Sequence, residues 1–182
     1  MSRPRRPNGA AWPAARITDE VAHDISGTLA IGSQRTPDQD LAFSLRLIVE
    51  IAQRALSPGI NDPTTALYCI DRVGDALARL GARAMPSPLR LDEQGRLRVI
   101  ADPLSLHDLA VDAFSAIGRY GLTDADVMVR LIRTVDSLIP LAPPEGSMVL
   151  VELRDSMRRE ALTRLALSSD RAAVAAAAGD GA

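Results

Sequence analysis

Residues 55–66 read Ala-Leu-Ser-Pro-Gly-Ile-Asn-Asp-Pro-Thr-Thr-Ala, a pattern typical of a short turn between two helices. Pro58 disfavours the helical backbone at the residue before it, and Gly59 can take a left-handed conformation, so the first helix ends here. Asp62 and Pro63 then match the N-cap and the first position of a second helix. Two helices joined by so short a turn must pack as an antiparallel pair.

The helix before this turn is predicted to be central and largely buried. Its start is indicated by residues 36–39, where Thr36 supplies an N-cap hydroxyl, Pro37 the first helical position and Gln39 a capping box. Apolar residues then recur so densely that only a narrow polar stripe remains. That stripe consists of Arg46, Glu50, Gln53 and Arg54.

Helical patterns dominate the rest of the chain. The other predicted helix starts are Thr18, Asp62, either Asp102-Pro103 or Ser105, Thr123 and about Ser147. Between two of these helices, Leu89, Leu91, Leu97 and Val99 alternate with arginines around a turn that contains Gly95, which predicts a β-hairpin. A lone two-stranded hairpin is marginally stable, so we expect it to lean on the helices or on another subunit.

The predicted fold class is therefore mainly α, with a single helical domain of about six helices and one small β-hairpin. We expect an Arg/Pro-rich disordered arm over residues 1–16, the helical domain over 17–168 with its hairpin near 89–100, and a frayed Ala-rich tail over 169–182. The arm has no apolar core typical of a secretory signal. The most apolar stretch, residues 41–56, contains too many polar residues to span a bilayer.

Composition excludes several classes of function. The 182 residues carry a net charge of −2, which gives no broad cationic surface, so a nucleic-acid partner is not expected. Two histidines and one cysteine are too few for a structural zinc site or a disulfide, and they fit a reducing, cytoplasmic location. We expect no metal and no cofactor. Glu20 and His23 form only half of a di-iron half-site, and Cys69 lies on an apolar helix face as an inert thiol.

Two polar segments remain as candidate ligand or interface sites, although each also has a complete explanation as a cap or turn. The candidate residues are Arg35, Asp40, Ser57, Asn61 and Asp62. No catalytic residue is assigned. Asp40 and Ser57 lie 17 residues apart on one predicted helix, hence about 25 Å, so the two segments cannot form one site within a straight-helix monomer.

The same segments carry a family resemblance. Arg-Thr-x-x-Gln-Asp at residues 35–40, an aliphatic helix, the Ser-Pro-Gly-Ile-Asn-Asp-Pro string and Cys-Ile-Asp-Arg at 69–72 resemble the soluble C-terminal portion of a bacterial predicted membrane-protein family, domain of unknown function 2254. The resemblance covers residues 17–165. Its members have several N-terminal transmembrane helices, which this sequence lacks, and no activity, cofactor or substrate accompanies the family.

The resemblance implies a noncatalytic cytoplasmic module for regulation, assembly or small-ligand sensing. The expected partners are other copies of the chain, as a homo-oligomer, and a membrane protein. The alternative is an enzyme of unknown reaction with a polar site at Arg35/Asp40 and Asn61/Asp62. Three origins stay open, namely a free-standing paralogue, a partner of a separate membrane subunit, and a remnant of a truncated gene.

Arg35 provides a test of the interface hypothesis. Thr36, Pro37 and Gln39 are expected to satisfy the start of the helix, so neither Arg35 nor Asp40 is needed for capping. A guanidinium near a helix N-terminus suits a carboxylate or phosphate group of a ligand or of another subunit. Arg35→Ala should therefore weaken assembly or ligand binding, measured by light scattering or titration, while the melting temperature changes little.

Overall fold

The structure, a computed structural model, describes residues 17–27, 40–83, 87–100 and 104–177. Its internal contacts divide the chain into two units, residues 1–36 and residues 37–182. The described part of the first unit is helix α1 (Asp19–Gly27), which begins as predicted, because the Val21 amide donates to the hydroxyl of Thr18 at 3.3 Å. The single helical domain over residues 17–168 stays a prediction.

The described residues of the second unit contain six α-helices, one short 3-10 helix (Ile139–Leu141) and one β-hairpin. Their bounds are α2 Leu41–Ala55, α3 Pro63–Gly81, β1 Leu89–Leu91, β2 Leu97–Ile100, α4 Leu106–Gly121, α5 Ala125–Leu138, α6 Pro144–Arg164 and α7 Ser168–Ala176. The predicted fold class is confirmed. Within the described ranges the chain forms seven α-helices rather than about six, because the last helical stretch breaks after Arg164.

Local capping chemistry places the helix starts, in two cases at another residue than predicted. Asp40 is the N-cap of α2, since its carboxylate accepts from the Phe43 amide at 2.9 Å, so the expectation that Asp40 is not needed for capping is wrong. Likewise Asp124, not Thr123, caps α5. Asp62 caps α3 and Ser105 caps α4 as predicted. Residues 36–39, the predicted start of the α2 helix, lie outside the described ranges.

The start of α6 lies three residues earlier than predicted. The helix begins at Pro144 rather than near Ser147, because a proline fits the first turn of a helix. Ser147 instead ties the helix to the preceding segment, since its hydroxyl donates to the carbonyls of Ile139 at 2.9 Å and Ala142 at 3.1 Å.

The core lies around α4 and α5, and α2 is peripheral. Phe114 of α4 and Leu131 of α5 are fully buried, and both helices pack against α3 and α6. Helix α2 buries Leu45, Val49, Ala52 and Ala55 on one face. On its opposite face Leu47 and Ile51 are 43% and 53% exposed, so the prediction of a central, largely buried helix is wrong. Neighbouring helices cover a single side of α2.

The hairpin forms as predicted, with Gly95 in the left-handed region at φ 74°, but its register differs from simple alternation. Leu89 pairs with Ile100, Arg90 with Val99, and Leu91 with Leu97, so Arg98 is an extra residue in a β-bulge. Because paired residues share a face of a sheet, Leu89, Leu91, Leu97 and Ile100 lie together and Val99 lies on the other face. Every strand residue is exposed.

The Ala-rich end of the chain was expected to fray, yet residues 168–176 form helix α7. Val174 and Ala177 are buried, which holds this segment on the domain. Arg171 extends back to donate to the carbonyls of Leu165 at 2.7 Å and Ala166 at 2.8 Å, close to the end of α6. These contacts with the rest of the domain stabilise α7, whereas its Ala-rich composition alone predicts a frayed end. Residues 178–182 lie outside the described ranges.

Helices α3 and α5 are in tight contact at Gly74. A Cβ atom added there would lie 2.6 Å from Cγ2 of Thr134, well inside van der Waals contact. One turn earlier, Arg130 of α5 donates to both carboxylate oxygens of Asp71 of α3, at 2.7 and 2.9 Å. The small residue and the bidentate ion pair together fix how the two helices pack.

Gly74→Ala should lower the free energy of unfolding by about 1–3 kcal/mol, because the Thr134 side chain or one of the two helices must shift to admit the methyl group. The measurement is urea denaturation followed by circular dichroism. Gly59→Ala is the matched control, since no atom lies within 4 Å of a Cβ at Gly59, and we expect a change of at most ~0.5 kcal/mol. Equal stability of the two variants would contradict the close approach.

Candidate functional site

Ser57 is held inside the turn between α2 and α3 by backbone hydrogen bonds. Its hydroxyl donates to the Arg54 carbonyl at 2.6 Å, and its own carbonyl accepts from the amides of Ile60 at 3.0 Å and Asn61 at 2.9 Å. Within the described ranges no histidine or carboxylate hydrogen bonds to this hydroxyl. A serine in this arrangement stabilises the turn and is not activated as a nucleophile.

Asn61, rather than Gly59, takes the left-handed conformation of the turn. Its φ is 50°, the one positive φ of a non-glycine residue in the described chain. Asparagine tolerates this region better than most residues, because its short polar side chain can hydrogen-bond locally. The candidate Asn61 therefore has a conformational role that its position in the turn explains.

Asp62 joins the two helices. Its carboxylate accepts from the Thr65 amide at 3.1 Å and from the Thr65 hydroxyl, while its own amide donates to the Ala55 carbonyl at 2.8 Å. The hydroxyl of Thr65, followed by the Thr65 amide, holds the pKa of Asp62 below its ordinary value. The carboxylate is therefore ionised at neutral pH and already occupied, which is unsuitable for a general base.

The described candidate residues do not converge on one site. Asp40 precedes α2 and Ser57 follows it, and a 15-residue helix spans about 22 Å. Asn61 and Asp62 are adjacent to Ser57 but satisfy backbone groups. Arg35, and with it the hypothesis of an anion held beside Asp40, lies outside the described residues.

A cleft of about 370 Å³ lies between α2 and α4, and the sequence does not predict it. Its walls include the buried Leu45, Val49 and Ala113. Its rim carries Arg46, Glu50 and Asp112, none of which makes a side-chain hydrogen bond or ion pair with the described residues. Gln53 crosses to α4, where its amide donates to the Ala116 carbonyl at 3.2 Å. No sequence signal indicates that α2 and α4 are neighbours.

Arg154 of α6 links two helices. It donates to Asp136 of α5 at 2.6 Å and to Asp155 of α6 at 2.9 Å. The hydrogen bond to Asp155, and then that to Asp136, raises the pKa of Arg154. All three side chains are at least partly shielded from solvent, so the network stabilises the packing of α5 on α6.

The side chains of Cys69 and His107 are both packed into the fold. Cys69 is buried, and burial raises the pKa of its thiol, which agrees with the inert thiol predicted from the sequence. His107 packs its Nδ1 against Gly146, where a Cβ would lie only 2.5 Å away. Among residues 17–27, 40–83, 87–100 and 104–177, no group of three or more His, Cys, Asp or Glu side chains is arranged to hold a metal ion.

The sequence profile of a family described as "Predicted membrane protein (DUF2254)" matches residues 3–137. The chain belongs to this family. Two uncharacterized proteins of Mycobacterium tuberculosis and one of Mycobacterium bovis are each 33% identical to it over 149 residues, which cover 81% of this chain and 29% of theirs. The chain thus spans less than a third of the length of these DUF2254 relatives. No solved structure matches it.

The comparisons confirm the resemblance that the turn motif indicated. Residues 55–66 lie within the matched region of the DUF2254 profile, and the structure gives them a defined role in joining α2 to α3. None of the helices in the described ranges is long and apolar enough to cross a bilayer. In this chain the described polar residues of the motif, Ser57, Asn61 and Asp62, hold the turn and the start of α3.

Asp62 supplies a pH-dependent test of this role. Asp62→Ala should lower the free energy of unfolding at pH 7, and Asp62→Asn should recover most of the loss, because an amide oxygen also caps a helix. Since the pKa of Asp62 is lower in the folded chain, its charge stabilises the fold above the unfolded-state pKa of about 3.9. That contribution is lost as the pH falls through the folded-state pKa.

The gap in stability between the wild type and Asp62→Asn should therefore be largest near neutral pH and close in acid, as measured by thermal melts across a pH series. If asparagine is instead as damaging as alanine at pH 7, the carboxylate charge has a role beyond capping, and the functional interpretation of this residue gains support.

Proposed function

We propose that this chain is a noncatalytic assembly module of the DUF2254 family, which contacts other protein surfaces through exposed apolar side chains. The observation that carries the proposal is the apolar face of the β-hairpin, formed by Leu89, Leu91, Leu97 and Ile100. Assembly is better supported than the enzyme alternative, because Asp40, Asn61 and Asp62 are all used in caps or turns. Regulation and small-ligand sensing have less support, since they rest on the α2–α4 cleft alone.

The hairpin face is too apolar to be explained as an ordinary surface. Its four aliphatic side chains are between 47% and 67% exposed, and they belong to a two-stranded sheet, which is marginally stable without cover. Covering the exposed part of each side chain contributes about 1 kcal/mol, so a partner surface would gain about 4 kcal/mol before the costs of association. Burial against a partner is therefore favourable for this face.

The partners in this proposal are other copies of the chain, in a homo-oligomer, and a membrane protein. The second is supported by the description of the family as predicted membrane proteins and by the greater length of the mycobacterial relatives. A cytoplasmic location also belongs to the proposal, since the one cysteine of the sequence forms no disulfide and its thiol is buried.

Leu89→Asp should weaken self-association at least roughly tenfold, because it places a charge within the apolar face. Sedimentation velocity and light scattering over a concentration series give the measurement. Val99→Asp is the matched control: Val99 lies on the same hairpin and is similarly exposed, at 53% against 47%, but belongs to the opposite face. We expect its association to resemble that of the wild type.

Two results would contradict the proposal. A wild-type chain that stays monomeric at high micromolar concentration has no self-association for the hairpin to mediate. Equal weakening by Leu89→Asp and Val99→Asp would indicate that hairpin stability, and not one particular face, is responsible.

A further inference from the structure

In addition to the apolar face of the hairpin, the chain has an exposed apolar stripe on helix α2, on the side away from the core. Phe43, Leu47 and Ile51 recur every four residues and therefore lie on one face of the helix. Phe43 is half-buried, whereas Leu47 and Ile51 are 43% and 53% exposed. The buried residues of α2 face the opposite direction, so the helix is apolar on two sides, of which the described residues cover only one.

Charges of alternating sign run beside this stripe. Arg46, Glu50 and Arg54 are also spaced four residues apart, which is the spacing of ion pairs along a helix. Nevertheless, none of these three side chains forms an ion pair or a hydrogen bond with another described residue. Their charges are therefore available to a second surface.

We propose that this face of α2 binds the same face of a second copy, with the two α2 helices antiparallel across a two-fold axis near residues 48–49. The proposal rests on the assembly function above and names its partner. A two-fold axis at this place brings Leu47 of each copy level with Ile51 of the other, so the two apolar stripes cover each other.

The charge pattern favours this arrangement over a parallel one. Across the same axis Arg46 of each copy lies level with Glu50 of the other, to within about one or two residues at ~1.5 Å of rise each. Two symmetric ion pairs then flank the apolar contact. A parallel two-fold arrangement would instead place the Arg46 and Glu50 edges of the two helices on opposite flanks of the contact, where they could not pair with each other.

The contact should be modest in strength and sensitive to salt. One helix of 15 residues presents a surface about 22 Å long, near the lower limit of size for a specific interface. The flanking ion pairs are close to solvent, so added salt screens them within a Debye length of about 8 Å at physiological ionic strength. Raising the salt concentration should therefore weaken this contact.

Reversing the charges tests the proposal directly. Arg46→Glu or Glu50→Arg alone places like charges opposite each other in a homodimer, and each should weaken association roughly tenfold. An equimolar mixture of the two single variants restores both opposite-charge pairs in a heterodimer, and the double variant restores them in a homodimer. Both should associate nearly as tightly as the wild type in sedimentation velocity.

Arg79→Glu is the matched control, because Arg79 is an exposed arginine on α3, and the substitution makes the same change in charge away from the proposed face. We expect no effect on association. Circular dichroism and melting temperature establish that each variant is folded, as the exposure of Arg46 and Glu50 leads us to expect. Leu47→Asp should also weaken association, and mixing this variant with a charge-reversal variant should not restore it.

The outcomes separate this inference from the assembly function on which it rests. If neither single charge reversal weakens association, or if mixing the two fails to restore it, the α2 contact is overturned. When Leu89→Asp still dissociates the oligomer in that case, the assembly function stands and another surface or partner covers α2. A wild-type chain that is monomeric at every concentration overturns both.

Discussion

The fold depends on the hydrogen bonds of Asp62 at the junction of two helices. Its carboxylate begins α3 by accepting from Thr65, and its amide ties that start to the end of α2 through the Ala55 carbonyl. Side-by-side packing of α2 and α3 follows from this short connection. Helix α3 then positions Gly74 and Asp71 against α5, and α5 is joined to α6 through Arg154. A local turn thus sets the order in which the helices pack.

The polar residues of the most recognisable segment of the sequence serve the backbone of its turn. Ser57, Asn61 and Asp62 look like a cluster of reactive groups, yet a turn of this geometry requires an acceptor, a left-handed residue and a cap at these places. Once these backbone requirements are met, the side chains have little capacity left for a substrate. The segment that carries the family resemblance is therefore also the segment that joins α2 to α3.

The two exposed apolar surfaces differ in their physical character. The hairpin face is aliphatic, and its free energy of burial depends little on salt. The α2 face is flanked by Arg46 and Glu50, so its association would respond to ionic strength. An assembly that uses both would have one contact set by hydrophobic burial and another whose orientation is set by charge.

The sequence by itself determined the elements whose stabilising contacts are local: the α2–α3 turn, the caps at Thr18, Asp62 and Ser105, and the existence of the hairpin. The sequence indicates Thr36 and Thr123 as the caps of α2 and α5, whereas the structure has Asp40 and Asp124. The difference arises because neighbouring residues offer competing acceptors within one turn.

Tertiary structure alone decided that α2 lies at the periphery, that Arg154 bridges α5 and α6, and that α4 forms a cleft with α2. It also placed the bulge at Arg98, which turns Ile100 rather than Val99 to the apolar face. These features depend on contacts between residues far apart in the chain, where helical periodicity gives the width of an apolar face but not the neighbour that covers it.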